Sequence, residues 1–320
     1  MPRASSPPIT KRAAMPRTKL ARPQYTTGPV LAYSRATNLR AGLRNPDSIP
    51  DYRFSRKGLE TLQTILAACE TGPRQRAWAV VGPYGSGKSI FAFLALQVLA
   101  RSRAEWLDRA MASLSVSDAE MAARITAVVE ADPKGYVPVV VEGGRMPLDQ
   151  ALVQALLEAT KAGRGSWASR SFASSLHTEL QTLQAGISDP HHVAELFTQA
   201  ADLARIAGHG GLVVTVDEFG KFLERAAWQG DTPDVIAAQY LAELASSGSD
   251  PAILFLVLVH QGFQHYASSL SAQQWVEWAK VQGRFQQIDF TESPEDSYDL
   301  IAEALRHASG GDALDPKIAS

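Results

Sequence analysis

At 320 residues, with 45% apolar and 20% charged side chains, the chain has the composition of a globular protein and not of a disordered or fibrous one. Its longest apolar run, Ala252 to Val259, is far short of the roughly 20 residues a membrane-spanning helix needs, so no membrane partner is expected. The single cysteine, Cys69, excludes an internal disulfide, and no secretory signal core is visible, which together predict a cytoplasmic protein.

The net charge of −2 is unevenly spread. Residues 1–60 carry twelve Lys and Arg against Asp47, Asp51 and Glu60, so this stretch is net +9 and the remainder −11. Residues 1–50 are also rich in proline and poor in apolar side chains, which predicts a flexible arm. Two readings of the arm stand: a contact for nucleic acid or another polyanion, or a solvated leader without a partner. The expected body is a catalytic core over 51–292, with a further short unit over 293–320.

In chain order, Arg56 to Cys69 has helical apolar spacing and stops before Gly72-Pro73. Ala77 to Val81 is a short apolar strand. It runs into Gly82-Pro83-Tyr84-Gly85-Ser86-Gly87-Lys88-Ser89, after which Ile90 to Leu99 reads as an apolar helix. This segment fits G-x-x-x-x-G-K-[ST], the Walker A phosphate loop. The residue types follow from the chemistry. Glycines let the backbone curl its N–H groups onto phosphate oxygens, and the helix N-terminus adds donors and a favourable dipole. Lys88 reaches the β- and γ-phosphates, and the Ser89 hydroxyl ligates Mg²⁺. ATP and Mg²⁺ are therefore the expected ligands.

Residues 102–130 read as helical and exposed. Tyr136 to Val141 is a strand that Pro138 assigns to an edge or to a break in the ladder. A helix follows over Pro147 to Ala162, then a Ser-, Ala- and Gly-rich stretch to Gly186 that reads as loop with one weak helix. His191 to Ile206 is helical, and His191-His192 lacks the partners a zinc site needs. Leu212 to Val216 is an apolar strand ending in Asp217-Glu218, the pattern of a Walker B element. Asp217 then holds the metal, and Glu218 orients and polarises the attacking water.

A helix over Val235 to Ala245 precedes the strand Ile253 to Val259, whose tip carries His260 and Gln261 within reach of a γ-phosphate. After a polar helix over 272–281 comes Gly283-Arg284-Phe285, then a last strand over 287–290 and a helix over 296–307. Arg284 is placed either to reach a neighbouring subunit's nucleotide or to pair with an acidic neighbour. Alternating strands and helices predict an α/β fold, a mainly parallel sheet covered on both faces, with ligands at the carboxyl ends of the strands.

The order Walker A, strand, Walker B ending Asp217-Glu218, polar strand tip and Gly283-Arg284-Phe285 resembles the AAA+ ATPase core. Asp217-Glu218-Phe219-Gly220-Lys221-Phe222-Leu223 is also similar to large bacterial defence and mobile-element ATPases. The AAA+ resemblance implies a three-layer P-loop NTPase with strand order 5-1-4-3-2, helical insertions near 102–130 and 163–207, and a helical lid beginning after residue 292. It further implies a sensor at His260 or Gln261, and a homo-oligomer in which Arg284 acts on the neighbouring site. The position three before Arg284 is Val281, so the second finger arginine of the family is missing. Two functions follow: an ATPase coupling hydrolysis to conformational change in an oligomer, or a slow nucleotide switch like the STAND and origin-recognition proteins. A small-molecule kinase is disfavoured by Glu218. The protein target is not encoded in any motif.

Overall fold

The computed structural model describes residues 39–44, 54–69, 75–101, 105–131, 134–144, 146–161, 167–229, 233–248, 252–266, 272–291 and 298. Five strands form one sheet: β1 (Ala77–Val81), β2 (Val137–Glu142), β3 (Gly211–Asp217), β4 (Ala252–Val259) and β5 (Gln286–Asp289). Every pairing is parallel. The order is β2-β3-β4-β1-β5. Counted from the opposite edge, the same neighbours read β5-β1-β4-β3-β2. Strands β1 and β4 are unbroken apolar runs, and β3 is apolar over Leu212–Val216 apart from the buried Thr215, because both of their faces are covered. Pro138 falls on β2, at an edge, where its missing N–H costs no ladder bond.

Alternation along the strands splits the core into two. Ala79, Val139, Val214 and Val257 face one helical layer, and Trp78, Val80, Val140, Val213 and Leu256 face the other. The first layer holds α6 (Leu148–Lys161), α7 (Arg170–Gln184), α8 (Pro190–Ile206), α9 (Gly220–Gln229), α10 (Pro233–Ser246), the short α11 (Phe263–Tyr266) and α12 (Ala272–Gln282). The second holds α1 (Leu39–Arg44), α2 (Arg56–Ala68), α3 (Lys88–Leu99), α4 (Glu105–Ser117) and α5 (Ala119–Ala131). Helix α3 is buried all round apart from Ser89 and Ile90, because it lies against the sheet with other helices packed over it.

Three expectations need correction. The basic arm is not flexible throughout, since its residues 39–44 form α1 and dock. Leu39 is fully buried, Arg40 pairs with Glu158 on α6 at 3.1 Å, and Arg40 also donates to the Val140 carbonyl of β2 at 3.2 Å. Apolar contact outweighs the local proline and charge content there. The weak helix expected before Gly186 is the 15-residue α7, started by Ser169, whose Oγ accepts from the Phe172 N–H at 3.1 Å. Phe172, Leu176 and Leu183 put one apolar face on the core. Helix α9, not expected at all, begins directly at the end of β3, with Phe219, Phe222, Leu223 and Ala226 buried at helical spacing.

Apart from α1, the arm lies outside the described residues, as does the helix expected over 296–307 except for Tyr298. No described helix is long and apolar enough to cross a membrane.

Candidate functional site

The parallel sheet sends four strand ends to one edge, and the chemistry-bearing residues collect there. The loop Gly82–Gly87 leaves β1, Gly143 leaves β2, Glu218 leaves β3 and His260 leaves β4. Two different constraints select glycine in the first loop. Gly85 and Gly87 have φ of +80° and +86°, where a side chain is strained. Gly82 is crowded instead, and a Cβ there would lie 2.3 Å from the Phe290 carbonyl oxygen. Gly87 also caps α3, without a side chain to bond the amides of its first turn.

Lys88 opens α3 and folds back under the loop. Its Nζ donates to the Gly82 and Pro83 carbonyls at 2.5 and 2.7 Å and to Ser86 Oγ at 3.4 Å. Burial pulls its pKa below the usual lysine value, against the opposing pull of the Asp217 charge. Ser89, one residue on, donates to Asp217 Oδ1 at 3.3 Å, and the same oxygen accepts the Glu218 N–H at 2.9 Å. Desolvation pushes the Asp217 pKa up, hydrogen bonds from Glu218 and Ser89 pull it down, and the charges of Glu218 and Glu142 add to the upward push. Ile90 continues α3 as a half-buried residue.

Glu218 sits in the left-handed region at φ +53°. Its carboxylate Oε2 is ion-paired with the Lys221 ammonium from the first turn of α9. That hydrogen bond is the main reason the Lys221 pKa is raised. His260, at the tip of β4, stacks on the ring of Tyr84 with centroids 3.5 Å apart and planes at 26°. Both of its ring nitrogens are buried without a hydrogen-bond partner among the described residues. Burial first, then the nearby Lys88 charge, lowers the His260 pKa and favours the neutral ring. Gln261 beside it is exposed.

The structure thus brings the loop, Lys88, Ser89, Asp217, Glu218 and His260 to one place. Arg284 is not there. It precedes β5, whose first residue pairs with Trp78 at the opposite end of the ladder from Val81. Its Nε donates to Glu243 Oε1 on α10 at 2.8 Å, so within one chain the arginine takes the pairing alternative.

Two residues of the site escaped sequence reading. Glu142 ends β2 in register with Asp217 and has a buried carboxylate oxygen without a partner among the described residues. The signal was a carboxylate before Gly143-Gly144 at a strand end. Lys221 shows itself only once α9 is known to start at Gly220, three residues after Asp217.

Chemically, the loop amides and Lys88 suit an anion. A hydroxyl and a carboxylate suit a hard cation that keeps much of its own water. Among the described residues no group of three or more His, Cys, Asp and Glu side chains is placed to hold a metal without such help. A scan against protein-family models matches none, and a search of the curated proteins finds no match.

Proposed function

We propose that the chain is an AAA+-like P-loop ATPase, binding ATP with Mg²⁺ across the Gly82–Ser89 loop and coupling hydrolysis to conformational change in an oligomer. The observation that carries this reading is the 3.3 Å contact from Ser89 Oγ to Asp217 Oδ1, which joins two motifs 128 residues apart in the chain. A glycine turn with an incidental Lys-Ser would not need a carboxylate at that spot.

In this reading the loop amides and Lys88 hold the phosphates, Lys88 exchanging its loop carbonyls for phosphate oxygens. Ser89 and Asp217 would hold Mg²⁺, which when bound supplies charge neutralisation at the β- and γ-phosphate oxygens. Glu218 accepts a hydrogen bond from the attacking water and orients it. The neutral His260 ring can donate from one nitrogen and accept at the other, which suits contact with a terminal phosphate or that water.

The alternative, a slow switch gating assembly or DNA binding, draws on the Arg284–Glu243 pair. With the arginine held there, no finger reaches a nucleotide until a neighbour competes for it.

The test is steady-state ATPase activity against protein concentration, with and without DNA, alongside two variants. Lys88→Ala is expected to lose ATP binding. Glu218→Gln is expected to bind ATP and lose about a hundredfold or more in turnover, the scale of a lost general base. Unchanged ATP affinity in Lys88→Ala would sink the reading.

A further inference from the structure

Glu218 is fixed in place more firmly than an exposed carboxylate needs to be. Its neighbour's N–H, from Phe219, donates to the Leu258 carbonyl of β4 at 2.9 Å, tying the turn to the next strand. Across from it, a Cβ at Gly143 would come within 2.7 Å of the Glu218 Cβ and 2.6 Å of its carbonyl oxygen, so the β2 loop is wedged against it. The backbone is left-handed at φ +53°, a conformation a non-glycine residue keeps only where its surroundings impose it. The Glu218 carbonyl accepts the Lys221 N–H at 3.0 Å, which closes the turn and brings the Lys221 side chain back onto the carboxylate.

That ion pair engages Oε2. A carboxylate has about four acceptor positions, so one ammonium leaves the other oxygen available to water. We propose that Lys221 is the positioning residue for Glu218: it anchors Oε2 and so presents Oε1 in one orientation to the water that attacks the terminal phosphate. This rests on the ATPase reading above. The logic is that of a base held by a third group, in which the orienting partner touches neither substrate nor water. The Lys221 side chain is about half exposed (47%), so replacing it leaves the core intact. The other charged or titratable groups facing it are Tyr84 from the loop, Asp217 from β3 and His260 from β4.

The experiment compares Lys221→Met, Lys221→Arg and Lys221→His by kcat and KM for ATP between about pH 5.5 and 8, with melting temperatures to confirm folding. Lys221→Met is expected to lose about tenfold in kcat with KM held within about twofold, and Lys221→Arg to restore most of the loss. An imidazole carries the anchoring charge only below about pH 6.5. The ratio of Lys221→His to Lys221→Met turnover should therefore climb as pH falls through that value.

A wild-type kcat in Lys221→Met, a flat ratio, or a loss expressed mainly in KM would each overturn the positioning role, the last by making Lys221 a phosphate ligand. A wild-type chain that hydrolyses no ATP would remove the ATPase reading and this role with it. An active chain indifferent to Lys221→Met removes this role alone.

Discussion

Asp217 works against the folded chain in the absence of ligand. Burial raises its pKa above the ordinary 3.8, so the folded state binds a proton where the unfolded state has already lost it. The penalty is absent below the unfolded value and grows as pH rises from there through the folded one. Asp217→Asn keeps an oxygen for the Ser89 hydroxyl and the Glu218 N–H while removing the charge. In the ligand-free protein near neutral pH it is expected to raise Tm, because it removes the buried charge. The gain should shrink as pH is lowered, and thermal unfolding followed by circular dichroism across pH reads both effects. A lower Tm at pH 7 would mean that the carboxylate is stabilising and the burial argument wrong.

The candidate site was legible through its motifs, Gly82 to Ser89 at phosphate-loop spacing and Asp217-Glu218 at the end of an apolar strand, and the fold sets Ser89 against Asp217. Glu142 was not, since only the register of β2 against β3 sets it beside Asp217. Nor was the Tyr84–His260 stack, which depends on how the loop lies across the tip of β4.

At the scale of elements, α1 on α3 is a close joint away from the site. A Cβ at Gly42 would meet the Phe93 ring at 2.6 Å, and Phe93 is buried and cannot swing out. Gly42→Val should therefore destabilise the chain by about 1–3 kcal/mol, the usual cost of overpacking, read as a lower denaturant midpoint with an unchanged m-value. An unaffected midpoint would mean that α1 detaches at little cost.

Strands were the elements most readily seen, because a parallel sheet buried on both faces must be written in continuous apolar runs. Helix α9 was missed although Phe219, Phe222, Leu223 and Ala226 spell its buried face. The acidic pair ahead of it reads as a strand end, and the turn into the helix takes only Glu218 and Phe219. Helix α7 was underestimated for a different reason: serine and threonine dominate its exposed face, and three apolar anchors suffice for the rest.

At the scale of the whole molecule, Arg284 tests whether one chain is enough. Its pair with Glu243 is part-exposed, 51% and 33%, and so adds little to stability. Arg284→Ala should leave Tm nearly unchanged and, under the ATPase proposal, lower turnover at concentrations where the protein assembles. Mixing it with Glu218→Gln should restore part of the activity, because a mixed assembly rebuilds complete sites from one intact base and one intact finger. Activity in the mixture no higher than the sum of the two variants would leave Arg284 a surface residue.

The β2 border of the sheet bears on how copies of this chain can meet. An outermost strand invites a foreign strand to extend the ladder through its unused amides and carbonyls. Here the invitation is withdrawn twice, by an imino acid at position 138 that has no hydrogen to offer and by a guanidinium from position 40 already seated on the carbonyl of residue 140. Both groups are thereby unavailable to a foreign strand laid along that margin.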